Sequence, residues 1–483
     1  MIAKIKERAQ RSSYDAIVIG SGVNGLSAAI TLVSQGMSVL IVEGQSTIGG
    51  ACRSLPLTLP GFSHDICSSI YPLGVGSPFF RSLPLQAHGL KWIHPDLPFA
   101  HPFEDGKAAL FHRSIEKTAD GLGLDSDAYK KLFYSLNPDW DEIAPLMLKP
   151  PHLLRYPFGL AHFGMKALMS ASVLGKRKFK TKEARALLIG VAAHSALRMD
   201  APASAAFALV LSVAGHLVGW PFPEGGAQSL TNALISYFQS LGGEILIDAH
   251  VESISELPQS HLILCDITPR QLLEIAADRL PGYYKQQLQR FTYGPGSFKI
   301  DWALDAPVPW KNEDVARAGT VHIGGTLEEI ADAEAQVVQG KHPERPYVLL
   351  AQTSLFDRQR APQGKHTLWG YCHVPNGSTF DMTERIEEQI ERVAPGFGKI
   401  ILKRSVLPPQ RMQEENPNHI GGDINGGALS LGQLFARPSW RAIPYSTPVP
   451  GLYLCSSSTP PGGGVHGMPG YYAAQCAIHN WRF

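Results

Sequence analysis

The six cysteines of this chain, Cys52, Cys67, Cys265, Cys372, Cys455 and Cys476, form no CxxC pair. Their spacing excludes a cysteine-based zinc site and the dithiol of a disulfide reductase. They read as reduced, mostly buried thiols of a cytosolic-type protein, and no metal is expected. Net charge is equally scarce. The 43 Lys and Arg against 42 Asp and Glu leave +1, so nothing global draws the chain to nucleic acid. A strongly apolar run of membrane-spanning length is missing too. The most apolar stretch, Ala201 to Trp220, is rich in Ala and Ser and contains Pro202, His216 and Gly219. It reads as a buried helix or the wall of an apolar tunnel. The first thirteen residues carry Lys4, Lys6, Arg8 and Arg11 without an apolar core, so they read as a solvated leader helix or a short organelle-targeting stretch and not a secretory signal. The expected location is cytoplasmic. Lys176, Arg177, Lys178 and Lys180 lie just before the apolar run, either on a solvated loop or as a peripheral membrane contact. Repeats and low-complexity segments are absent.

A length of 483 residues exceeds what one core usually organises, so two associated domains are expected. The chemistry begins near the N-terminus. Ala16 to Ile19 is an unbroken apolar run of the kind a buried parallel strand needs. It leads into Gly20-Ser21-Gly22-Val23-Asn24-Gly25, a GxGxxG, after which Leu26, Ala29, Ile30 and Val33 recur at helical spacing. Gly36 ends that helix, and Val39 to Val42 form a second strand closing at Glu43. Gly20 permits the tight turn, Gly22 lets the backbone approach a pyrophosphate, and Gly25 lets helix pack on strand. Val23 and Asn24 start the helix, whose free N–H groups and positive dipole end attract phosphate. Glu43 can accept hydrogen bonds from both ribose hydroxyls. Strand, glycines, helix, strand and terminal acid in this order specify a Rossmann-type site. No second such unit follows, which disfavours a two-nucleotide reductase. Electrons would leave to oxygen, a quinone or another acceptor, or return to the substrate.

The doublet Gly49-Gly50, followed by Ala51, Cys52, Arg53 and Ser54, resembles the second phosphate contact of the glutathione-reductase-type FAD superfamily. Near the C-terminus, Gly451 to Cys455 run into Ser456-Ser457-Ser458-Thr459-Pro460-Pro461-Gly462-Gly463-Gly464-Val465-His466-Gly467-Met468. This segment resembles the closing motif of phytoene-desaturase-like flavoproteins, related to carotenoid desaturases, retinol saturases and amine oxidases. Pro223 to Leu230 resemble the family's PxGGxxxL helix start, and Gly243 to Val251 the strand whose Val251 backbone contacts adenine. The chain departs from carotenoid desaturases at Ser456, where they carry Gly, at Pro460-Pro461, where they carry His-Pro, and at Gly421 to Gly427. The resemblance therefore carries the flavin site further than it carries a carotenoid substrate.

The resemblance implies an α/β fold, with a discontinuous Rossmann-type FAD domain (1–80, 220–290 and 420–483) and a mixed α+β substrate domain (81–219 and 291–419). The 81–219 stretch reads as largely helical, and Phe298 to Leu304 as a strand. The implied FAD contacts come from Gly20, Gly22, Val23, Asn24, Gly25, Glu43, Gly49, Gly50, Ala51, Arg53, Ser54, Val251, Ser457, Thr459, Gly464, Val465, His466, Gly467 and Met468. Lys299 is implied to reach the flavin through water, as a related lysine does in amine oxidases, or else it points to solvent. His64-Asp65 can act as acid and base or as a structural pair. His466 contacts the flavin or organises its turn, and Asp423 and Asn425 cap or bond near the ring. Cys455 suggests a covalent flavin less readily than a buried strand cysteine. The expected activity is FAD-dependent hydride transfer with a lipophilic, isoprenoid or polyene-like substrate. The alternatives are an amine oxidase with a cage from Trp440, Tyr445 and Tyr471, or a flavoprotein whose structural FAD serves its partners.

Overall fold

The apolar run near the N-terminus becomes the middle of a parallel sheet. In the computed structural model, which describes residues 5–136, 140–150 and 163–481, five strands lie in the order Leu452–Leu454, Gln259–Cys265, Ser13–Ile19, Val39–Val42 and Glu244–Leu246. Every pairing is parallel. A central strand covered on both faces requires apolar side chains throughout, and Ala16, Ile17 and Val18 have no exposed surface. The helix Val23–Val33 is buried along its whole length and packs against the helices Ala227–Ser240 and Met468–Trp481. Gly25 sits where a Cβ would strike the Gly20 carbonyl, and Gly470 where one would strike the Asn24 backbone.

Lys4 lies outside the described residues. The short helix Ile5–Arg8 is docked instead of free: Ile5 is buried, Lys6 Nζ donates to the Ser255 carbonyl, and Arg8 donates to the carbonyls of Ile247 and Asp248.

The second sheet has seven strands, in the order Ile401–Leu407, Gly296–Leu304, His366–Val374, Val348–Ala351, Ala318–Ile323, Leu97–Pro102 and Ala108–Phe111. Only Ala318–Ile323 with Leu97–Pro102 pairs in parallel. The last two strands fall inside the stretch read as helical, where Pro98 and Pro102 hide the strand period from the sequence. Side chains alternate across this sheet. Phe298, Ile300, Trp302, Leu350, Leu368 and Cys372 face one way and pack with Ile386, Ile390 and Val393 of the helix Thr383–Val393. The other face carries a polar and aromatic row. Tyr371 stands opposite both Lys299 and Leu349, Leu349 opposite His322, and Trp369 opposite both Asp301 and Ala351.

The apolar stretch before Trp220 forms the helix Ser204–Leu217. No helix among the described residues is long and apolar enough to cross a membrane. Lys176, Arg177 and Lys178 form the last turn of the helix Ala171–Lys178, with Lys176 3.4 Å from Glu328.

Candidate dinucleotide and substrate cavity

A cavity of about 500 Å³ opens between the two sheets. On the nucleotide side it is lined by Gly20–Asn24, Glu43, Gly49–Arg53, Val251 and Asp266. Gly20 has φ +93°, Gly49 +125° and Gly50 +56°, conformations that favour glycine. Glu43 Oε2 accepts from the Ser21 amide at 2.8 Å and the Ser21 hydroxyl at 2.5 Å, fixing the glycine turn against the second strand. Asp266, at the end of the strand Gln259–Cys265, accepts from the Gly25 amide at 2.9 Å. This leaves the Val23 and Asn24 amides at the helix start for an anion. Burial pushes the Asp266 carboxyl up to about 7, with the charge of Glu43 adding to the rise and the Gly25 amide opposing it. A Cβ on Gly22 would stand 2.5 Å from Asp266 Oδ2, so this carboxylate, as well as a phosphate, demands glycine there.

On the other side the wall comes from Phe207 and Leu211 of the Ser204–Leu217 helix, from Trp220, and from Thr320, Leu349, Trp369 and Tyr371 of the large sheet. Behind Trp369 lies a buried ionic cluster. Lys299 pairs with Asp301, two residues along the same strand and hence on the same face, and its ammonium lies 5.8 Å from the centre of a Trp369 ring. His64 Nδ1 is 3.6 Å from Asp301 Oδ1, and its Nε2 bonds the Thr58 hydroxyl at 2.7 Å. Burial, aided by Lys299 and Arg360, pulls His64 down to about 3, so it stays neutral. Burial also raises Asp301 to about 6 against the pull of Lys299. Asp65 bonds Arg360 at 2.9 Å, Ser69 at 2.6 Å, Ser54 at 2.7 Å and the Ala227 amide at 2.9 Å. Burial works against its ionisation, but those partners outweigh it and hold the carboxyl below its usual range. The last contact caps the helix Ala227–Ser240, whose approach turns through Gly225 and Gly226 at φ +81° and +105°.

Comparison with known proteins bears on this geometry. The NAD(P)-binding Rossmann-like domain family matches residues 18–83, the segment that builds the glycine turn. The rat protein named pyridine nucleotide-disulfide oxidoreductase domain-containing protein 2 is 26% identical, covering 98% of this chain and 94% of that one. A lycopene-forming phytoene desaturase of Pseudescherichia vulneris is 22% identical over 94% of this chain and 96% of its own. The crystal structure of an oxidoreductase from Methanosarcina mazei superposes with a TM-score of 0.66 at 15% identity, covering 96% of this chain and 99% of that one, which speaks for the fold. The chain is an oxidoreductase, similar over nearly its whole length to phytoene desaturases.

In this oxidoreductase the residues singled out from the sequence separate into three groups. Gly20, Gly22, Val23, Asn24, Glu43, Gly49, Gly50, Ala51, Arg53, Val251, Ser457, Gly464 and Val465 line the cavity, as does Asn425. Arg53 is held by the Gly50 carbonyl, the Thr47 hydroxyl and the Glu415 carbonyl, and Asn24 Nδ2 donates to the Ser457 hydroxyl at 3.2 Å. A second group sits one layer behind. Gly25 packs under the turn, Ser54 bonds Asp65, and Thr459 bonds the Ser456 carbonyl. Gly467 (φ +69°) packs on Ser27, and Met468 begins the closing helix. His466 Nδ1 accepts the Met468 amide at 3.2 Å, and burial lowers this ring to about 4, so here it organises its turn. Asp423 gathers the amides of Gly294, Asn425 and Gly427. Lys299, His64 and Asp65 form the third group, the ionic cluster.

The aromatic trio falls elsewhere. Trp440 is 78% exposed, Tyr445 donates to the Pro460 carbonyl at 2.9 Å, and Tyr471 packs on Phe79. None lines the cavity, whose aromatic wall is Phe207, Trp220, Trp369 and Tyr371 instead. Cys455 is a buried thiol at a strand end, raised well above its usual range by burial. Sequence reading missed Asp266, Asp301 and Arg360. Asp301 carried a signal, since it shares a strand face with Lys299; the other two carried none.

Proposed function

We propose that this oxidoreductase binds FAD along the glycine turn and transfers hydride between the flavin and a lipophilic substrate held against the large sheet. The observation that carries the reading is the continuity of one cavity from the dinucleotide turn to an apolar wall of Phe207, Leu211, Trp220 and Leu349. The donor set suits an extended dinucleotide. The free amides at the start of Val23–Val33 would hold a pyrophosphate, Glu43 would take the ribose, and the Gly49-Gly50 turn runs so close to the first that a Cβ on Gly50 would stand 3.1 Å from the Gly22 Cα. FAD supplies the hydride acceptor or donor. The protein supplies the rest. The apolar wall excludes water and orients the substrate, and Val251, Ser457, Gly464 and Val465 shape the cofactor groove. The Lys299–Asp301–His64 cluster behind Trp369 fixes the electrostatics of the large-sheet face.

On this reading segments 1–80, 220–290 and 420–483 hold FAD, while 81–219 and 291–419 form the substrate side. The electron acceptor is oxygen or a quinone. Exposed Met165, Leu168 and Val173 beside the basic turn at Lys176–Lys178 support contact between that face and a membrane surface. The test is anaerobic mixing of the yellow protein with a panel of polyenes, retinoids and amines while the flavin band is followed. Bleaching by a lipophilic member supports the reading. Bleaching by amines alone overturns it in favour of amine oxidation.

A further inference from the structure

The large-sheet side of the cavity is unusual in what its polar atoms can do. His194, which lines the cavity, bonds the buried His322 through Nε2 to Nε2 at 3.0 Å. One ring must donate and the other accept, and the surroundings decide which. His322 Nδ1 is buried without a partner, facing Gly190 so closely that a Cβ there would lie 3.1 Å away. An N–H in that position would be an orphaned donor against a Cα–H group, whereas a bare lone pair there costs less. His322 therefore carries its proton on Nε2 and gives it to His194, which leaves His194 with a proton on Nδ1. That nitrogen makes no hydrogen bond to a described residue. Burial holds both rings neutral, His194 at about 3.

The neighbouring polar atoms share this character. Trp369 Nε1–H is buried behind the cavity wall, and an indole nitrogen offers nothing that could accept from a substrate. Thr320 accepts the Trp220 indole proton at 3.1 Å and still has its own hydroxyl proton to donate. The cavity's acids, Glu43, Asp266, Glu274 and Glu415, all belong to the nucleotide side. This side thus offers uncharged donors without a carboxylate to receive an ammonium.

We propose that this end of the cavity recognises a carbonyl oxygen on a lipophilic substrate, with His194 Nδ1–H as the donor and His322 as the positioning residue that sets its tautomer. The inference rests on the hydride-transfer reading for its substrate but concerns binding alone. A pure hydrocarbon would leave the His194 donor unpaired, and a cationic amine would find no carboxylate on this side.

The test titrates the full-length protein with ketones of ten to twenty carbons, each against its parent hydrocarbon. Binding is read from quenching of tryptophan fluorescence, because Trp220 and Trp369 line the wall. Wild type should prefer ketone over hydrocarbon by roughly tenfold or more, the scale of one buried donor. His194→Phe should remove that preference, so that ketone and hydrocarbon bind alike, and His194→Asn, which keeps a donor near Nδ1, should restore part of it. Nitrogen-15 NMR should place the His194 proton on Nδ1 in wild type and give a mixed tautomer in His322→Phe. Equal binding of ketone and hydrocarbon, failure of every ketone to bind, or an unchanged preference in His194→Phe overturns the proposal. Following the flavin band in parallel separates the two readings. Ketone preference without bleaching by any compound defeats hydride transfer alone, and bleaching by hydrocarbons without ketone preference defeats this inference alone.

Discussion

Lowering the pH from 7 to 5.5 should destabilise this protein sharply, and the size of the loss follows from its buried imidazoles. Burial is the main cause that depresses His64 and His194 to about 3, His101, His216, His419 and His466 to about 4, and His322 further. A histidine whose folded value lies below its unfolded value contributes stability above about 6.5, and that contribution is lost as the pH falls toward the folded value. Between pH 7 and 5.5 each of these seven rings forfeits a little over 1 kcal/mol, or about 9 kcal/mol together. Asp266, at about 7, and Asp301, at about 6, act in the opposite sense. Their raised values favour the folded state as the pH falls, returning about 2 kcal/mol over the same interval. The net loss of about 7 kcal/mol compares with a whole stability of roughly 5–15 kcal/mol. Urea unfolding at fixed ionic strength, followed by tryptophan fluorescence from pH 7.5 to 5.5, measures it. Replacing the buried His101 with Phe should make the decline shallower by about one proton's worth. A stability that is flat or rising across this interval would refute the reasoning.

Two further outcomes follow from the dinucleotide side. Gly22→Val must displace the Asp266 carboxylate and break its bond to the Gly25 amide, so FAD affinity should fall roughly 30-fold or more, measured as flavin content after gel filtration; stoichiometric flavin in the variant would contradict this. Because Asp266 titrates at about 7 beside the phosphate position, FAD affinity should weaken as the pH rises from 6 to 8, and Asp266→Asn should flatten that dependence in calorimetric titrations of the apoprotein.

Much of the nucleotide half was legible in the sequence because its signals are local. An apolar strand, a glycine turn and a helix lie within about twenty consecutive residues, and Gly20, Gly22 and Glu43 occupy the positions that order implies. Asp266 was not legible: it reaches Gly25 from 241 residues away, and nothing in its own neighbourhood marks it. The large sheet shows the same limit. Lys299 was noticed, but its partner Asp301 and the placing of Tyr371, Leu349 and His322 across one row depend on strand register, which alternation within a strand does not reveal. His194 joins that row from a helical segment, so the histidine pair exists only once the helical and sheet layers are packed. His466 shows the converse: its position in a glycine-rich turn suggested chemistry, and its ring turns out to cap the helix that follows.

We propose FAD as the dinucleotide that this cavity holds. The most direct measurement is the absorption spectrum of the purified protein, followed by heat release and identification of the cofactor. The account predicts a flavin spectrum and close to one FAD per chain. A colourless protein that neither retains nor takes up FAD, yet binds a nicotinamide dinucleotide at the same turn, would contradict it.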